Sequence, residues 1–197
     1  MNAIEILKQR IHGFNPKIEG NDHDAAVALI LYNIFDQLNV LVIERSKISG
    51  DPWSGQLAFP GGHVESSDKD LIATAIRETT EETGIILENL DCIGRLSDEI
   101  GTLKKIKVAS FVFFINEVQE PKTNDEVHHI FWCPLNRIYD PTHQRIHIEN
   151  GKRMPAVDIL GKEQPLLWGL TYRFINQLLS LIDKPLPKHA TFKESTF

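Results

Sequence analysis

The stretch Arg77-Glu78-x-x-Glu81-Glu82-x-Gly84 constrains this chain more than any other. On a helix, positions i, i+3 and i+4 share one face, so Glu78, Glu81 and Glu82 bring three carboxylates together. Like charges at this spacing cost helix stability. A chain that places them there calls for a neutralising cation, and carboxylate oxygens are hard ligands suited to Mg²⁺ or Mn²⁺. The alternative is a solvated acidic face balanced by neighbouring Lys or Arg, since exposure is the usual fate of Glu. The surroundings favour the metal. The triplet follows Phe59-Pro60-Gly61-Gly62, is led by Arg77 and stops at Gly84. A divalent metal held by carboxylates beside a glycine-rich turn points to phosphate chemistry.

The whole arrangement resembles the Nudix box, a pattern of Gly, five residues, Glu, seven residues, Arg-Glu, an aliphatic, any residue, Glu-Glu, any residue, Gly and an aliphatic. The resemblance spans about two dozen residues and implies an α/β/α sandwich with a mixed sheet between helices. It makes Glu78, Glu81 and Glu82 metal ligands and Arg77 the partner that orients them. Three positions depart from the pattern. Asp68 stands near the place of the first Glu, one extra residue separates it from Arg77, and Thr79 replaces the aliphatic. Asp68 is a candidate for the role of the box's first acid. The extra residue resembles the branch that hydrolyses coenzyme A and its derivatives. So does the upstream run Leu41 to Ser46 followed by Gly55-Gln56-x-Ala58-Phe59-Pro60-Gly61-Gly62, although Gly50-Asp51-Pro52-Trp53 replaces the basic and His residues expected between.

Several function classes are disfavoured by composition. A net charge of −6 does not suit bulk nucleic-acid binding, which needs a basic surface. No apolar run reaches the roughly 18 residues of a membrane span, and the N-terminus lacks the basic and apolar regions of a secretory signal. Cys92 and Cys133 are isolated in apolar stretches and read as buried free thiols, which suits a reducing, cytoplasmic setting. With 197 residues, 42% of them hydrophobic, the chain can bury one sizeable core. The expected organisation is a single domain over residues 1–183 and a loosely held tail over 184–197.

Periodicity fills in the elements. Ile4, Leu7, Ile11 and Phe14 predict an N-terminal helix ending near Gly13. Residues 25–32 and 39–44 read as strands joined by a turn at Phe35-Asp36-Gln37. A loop covers 46–54 and a short strand 56–59. Ser67 is a candidate cap for the box helix, with Asp70 completing a capping box, and Gly84 fits a left-handed helix stop. Strands follow at 90–96, 105–116 and 126–133. A late hairpin turns at Asn150-Gly151, with strands at 143–148 and 156–160. Residues 166–182 read as one amphipathic helix.

Other candidate residues lie outside the box. Arg45 could contact a phosphate or end a strand in a salt bridge. Trp53 could stack on a nucleobase or anchor its loop. Gly61 and Gly62 would let backbone approach the metal and phosphate. Glu126 resembles the additional glutamate that some Nudix proteins supply from outside the box; it could bind a metal, act as a base or merely begin a strand. Asp98 and Glu99 are weaker candidates. His128 and His129 are adjacent, so a regular strand would point them to opposite faces and give no zinc site.

The resemblance implies an enzyme acting on phosphorus anhydrides, a metal-dependent pyrophosphohydrolase of nucleoside diphosphate derivatives. Coenzyme A or an acyl derivative leads, with ADP-ribose and other nucleotides as alternatives. Two readings of other classes stand beside it. One is a nucleotide sensor without turnover. The other is an interaction module that uses the C-terminal helix as a homodimer interface. The expected partner is a small nucleotide-derived substrate, without nucleic acid or membrane.

Overall fold

Most of the apolar runs pair into one mixed sheet. The computed structural model describes residues 3–18, 20, 22–101, 105–117, 119–162 and 164–187. In chain order the elements are α1 (Ala3–His12), β1 (Ala25–Ile34), β2 (Gln37–Arg45), β3 (Leu57–Ala58), β4 (Gly61–His63), α2 (Leu71–Thr83), β5 (Cys92–Arg95), β6 (Glu99–Ile100), β7 (Lys107–Phe114), β8 (Val127–Pro134) and α3 (Leu135–Tyr139). They continue with β9 (Gln144–Glu149), β10 (Lys152–Val157), β11 (Leu167–Trp168) and α4 (Gly169–Ser180).

The main sheet runs β3-β2-β1-β7-β5, with β4 also on β1, β6 on β7 and β8 on β2. Among the described residues only the central pair β1 and β7 is parallel, from Ala25 opposite Val108 to Leu31 opposite Phe114. A parallel pair needs a crossover connection, and the box helix α2 lies within the one between β1 and β7. Strands β9, β10 and β11 form a separate antiparallel sheet.

Strand alternation sorts the core into two layers. Leu29 and Leu31 of β1 pack on one face with Leu7 of α1, Ile138 of α3 and Phe174, Ile175 and Leu178 of α4. Ala26, Ala28 and Ile30 pack on the other with Ala75, Ile72 and Ile76 of α2. The result is the α/β/α sandwich with its mixed sheet between helices. The turn before β2 has Phe35 and Asp36 both left-handed, at φ 48° and 63°, as a two-residue hairpin of this hand requires.

Several boundaries differ from the sequence reading. Ser67 does not cap α2; Asp70 does, its carboxylate accepting from Ala73 N–H at 2.8 Å. Asp68 is held elsewhere, so the turn at 65–70 leaves Asp70 as the last extended residue. Gly61-Gly62 is not a plain turn but the strand β4, paired with β1. The second strand of the late hairpin begins at Lys152 rather than Ala156. The helix expected from Leu166 starts at Gly169, because Leu167 and Trp168 pair with Val157 and Ala156 first. In the segment expected to be a loose tail, Leu186 is buried and its N–H donates to Asn176 Oδ1 at 2.7 Å. Residues 188–197 of that segment lie outside the described residues.

Candidate active site

Helix α2 presents its acids toward β4. Three threonines, Thr74, Thr79 and Thr83, are fully buried on the same helix. Thr79 and Thr83 donate their hydroxyls to the carbonyls of Ala75 and Thr79, at 2.7 and 2.6 Å. Such back-bonding lets a hydroxyl take a buried helix position without an orphaned polar atom. It explains how Thr79 stands where the box pattern has an aliphatic.

Arg77 organises the acids. Its Nε and NH2 donate to the two oxygens of Asp68, each at 3.0 Å. NH1 donates to Glu78 at 2.9 Å and to Glu81 at 3.1 Å, and NH2 also reaches the His63 carbonyl at 3.0 Å. The Asp68 carboxyl is held well below the usual carboxylate range, first by its hydrogen bonds to Arg77. Asp68 therefore anchors Arg77 from the side away from the cleft, rather than joining the acids that line it.

Glu82 is the most enclosed of the three box acids, at 2% exposure, and its Oε2 accepts the Gly61 N–H at 2.9 Å. Burial pushes its carboxyl up to about 7, against the lowering influence of that N–H and of Arg45, while Glu78 and Glu126 push it higher. Burial also raises Glu78, which Arg77 opposes and Glu81 and Glu126 reinforce. The glycines make room for this packing. Gly61 sits at φ 150°, and a Cβ there would collide with the Ala26 carbonyl. A Cβ on Gly62 would strike the Glu78 carboxylate.

These groups open onto a cleft of about 430 Å³ lined by Arg45, Trp53, Gly61, Gly62, Arg77, Glu78, Glu81, Glu82 and Glu126. The structure thus brings together the candidate residues of the box other than Asp68, those of its upstream run and Glu126. Arg45 makes the salt-bridge contacts, with Asp51 at 3.2 Å and Glu82 at 3.6 Å, and also faces the cleft. Asp98 and Glu99 lie elsewhere: Asp98 is buried against His23 and Arg95, and Glu99 pairs with Arg173.

Two contributions escaped the sequence. Asn124 donates to the Glu81 carbonyl at 3.0 Å and accepts from Glu126 N–H at 2.9 Å. It ties the turn that carries Glu126 to the helix that carries the other acids. Trp168 of β11, with Leu170 and Thr171 in the first turn of α4, also lines the cleft. The two-residue strand β11 is too short to detect by periodicity.

The NUDIX domain profile matches residues 22–156, and those residues include every acid of the cleft. The chain belongs to the Nudix family. It is an enzyme of the Nudix hydrolase kind, a pyrophosphohydrolase. Nudix hydrolase NudL of Pectobacterium atrosepticum is 33% identical over 148 residues, 74% of this chain and 77% of that one. NudL of Citrobacter koseri is 33% identical over 183 residues, covering 89% and 93%. A solved MutT/nudix family protein from Enterococcus faecalis superposes with a TM-score of 0.59 at 19% identity, over 93% of this chain and 70% of that one, which supports the fold. No helix among the described residues is long and apolar enough to cross a membrane.

Proposed function

We propose that this Nudix cleft hydrolyses the diphosphate linkage of a nucleoside diphosphate derivative, with coenzyme A or an acyl-coenzyme A as the leading substrate. One observation carries the reading. Glu78, Glu81 and Glu82 on a single helix line one cleft together with Gly61, Gly62 and Glu126, which stands just before β8.

The residues present fit a divalent metal. Their oxygens are hard donors. Glu78 and Glu82 are raised by burial and by neighbouring carboxylates, so the metal-free site carries a repulsion that a cation would relieve. Glu78, Glu81 and Glu82 would hold Mg²⁺ or Mn²⁺. When bound, such an ion neutralises diphosphate oxygens and activates a water.

The chain itself does the remaining work. Arg77 fixes the carboxylates in one geometry through its planar donors. The missing side chain of Gly62 lets the Glu78 carboxylate pack against β4 at the cleft. Glu126, exposed at the cleft, accepts the proton of the attacking water. The water oxygen forms the new bond to phosphorus, the bridging P–O bond breaks, and its electron pair leaves with the second phosphate. Two phosphate-terminated fragments result. Arg45 supplies positive charge to the phosphates, and the Trp53 indole a face for the base. The apolar part of the lining, with Ile106, Val108, Leu170 and Phe174, suits an uncharged arm such as the pantetheine of coenzyme A. The one-residue extension of the box and the upstream run support the same substrate.

A turnover screen with Mg²⁺ and Mn²⁺ across coenzyme A, acetyl-coenzyme A, ADP-ribose, NADH and dinucleoside polyphosphates, with products identified by mass, tests the reading. Cleavage of coenzyme A to adenosine 3′,5′-bisphosphate and a phosphorylated pantetheine is expected. Preference for ADP-ribose would retain the reaction and reassign the substrate. Tight nucleotide binding with no turnover would replace the enzyme by a sensor.

A further inference from the structure

A strand irregularity places two imidazoles together outside the cleft. In the pairing of β2 with β8, Glu44 stands opposite His129 but Arg45 stands opposite Val127. His128 is therefore an extra residue on β8. A bulge of this kind sets two successive residues against one partner and re-aims their side chains. His128 and His129 consequently do not point to opposite faces, as a regular strand would have them. Their ring centroids are 4.0 Å apart. Each can offer a nitrogen, and Glu44 an oxygen, all within 4.8 Å of one another.

We infer that Glu44, His128 and His129 bind a borderline divalent transition ion of the Zn²⁺ type, at a site separate from the cleft carboxylates. The donor set differs in kind from that of the cleft. Imidazole nitrogens suit Zn²⁺, Ni²⁺ and Cu²⁺, whereas all-carboxylate sites suit Mg²⁺ and Mn²⁺. The spacing also fits. Zn–N and Zn–O bonds of about 2.0–2.2 Å in a tetrahedral arrangement put two donors about 3.4 Å apart. His129 Nδ1 and the Glu44 oxygen already stand 3.3 Å apart. The Glu44 side chain is 8% exposed and anchored in β2, while His129 is 56% exposed. The buried carboxylate fixes one ligand, and the exposed rings can close on an arriving ion with a water in the fourth place. None of the three lines the cleft. Glu44 shares its strand parity with Val40 and Val42, which pack in the layer of α1 and α4 rather than that of the box helix.

The test is a Zn²⁺ titration of metal-stripped full-length protein against a chromophoric competitor chelator. Three variants accompany it: His128→Gln, His129→Gln and a triple Glu78→Gln, Glu81→Gln, Glu82→Gln. Each His change should weaken one Zn²⁺ equivalent by about 100-fold or more, because loss of even an outer partner costs about 10–100-fold. The triple variant should retain that equivalent. Both His positions are exposed, so far-ultraviolet circular dichroism should be unchanged. Zn²⁺ affinity untouched by either His change, or lost in the triple variant, overturns the site. The readout is binding rather than turnover, so it succeeds or fails independently of the hydrolase reading.

Discussion

A guanidinium holds its N–H donors in a fixed plane, and Arg77 directs them to Asp68, Glu78, Glu81 and the His63 carbonyl. An ammonium at that position could keep its charge but not both oxygens of Asp68 together with the two glutamates. Arg77→Lys should therefore lower stability by about 1–3 kcal/mol, discounted from a fully buried pair because Arg77 is partly exposed. Metal affinity should fall with it. A thermal melt and a Mn²⁺ titration check both, and wild-type values in the two together would remove Arg77 from its organising role. Glu82 gives a pH signature. Its carboxyl is raised to about 7 from an ordinary 4.5, so the folded protein holds that proton more tightly than the unfolded chain does. Metal-free protein should gain stability as pH falls from about 7 toward 4.5, and lose it as pH rises through that window. Metal binding needs the carboxylate, so Mn²⁺ affinity should run the other way, dropping up to about tenfold per pH unit below 7. Melts of metal-free protein and Mn²⁺ titrations on both sides of that value should give opposite slopes. Slopes of the same sign would take Glu82 out of the ligand set.

Among the elements, β4 shows how one methyl group can act in two ways. At Gly61 the added Cβ would meet the backbone of β1, which cannot move without opening the sheet, and φ 150° disfavours any side chain. Gly61→Ala should destabilise by about 2–4 kcal/mol from overpacking and backbone strain combined. At Gly62 the Cβ would meet the far end of Glu78, which can swing aside. Gly62→Ala should fold nearly normally and lose most of its turnover. Chemical denaturation and turnover on the two variants separate these outcomes; equal stability losses would refute the distinction. The same elements show what sequence makes legible. The acids of α2 could be read because i, i+3 and i+4 spacing is local, and Gly84 is in fact left-handed at φ 68°. The Asp70 cap was misassigned because Ser67, Asp68 and Asp70 are all competent near a helix start. Asn124 could not be read, since its role depends on a helix more than forty residues away. The His128 bulge was hidden because register belongs to a pair of strands and not to either sequence alone.

At the scale of the molecule, the cleft is built from distant parts of the chain. Its walls draw on β4, α2 and the start of α4. Trp168 joins the walls to the small sheet, stacking on His147 of β9 with ring centroids 4.1 Å apart. Trp168→Ala should raise KM by about tenfold with kcat little changed, as expected when a contact binds ground and transition states alike. A fall in kcat with constant KM would instead make Trp168 a group acting on the reacting centre.

The hydrogen bond from Thr171 to the Leu57 carbonyl, across 114 residues, has a consequence for synthesis. A growing chain leaves the ribosome at about 5–20 residues per second, so the box acids emerge seconds before Glu126 and longer still before Trp168. Through that interval the nascent protein carries the clustered negative charge of the box without the cleft residues at 126 and 168–171. Hydrolytic competence should appear late and abruptly, once α4 docks, so a stalled nascent chain ending before β11 should be able to capture metal and yet leave nucleotides intact.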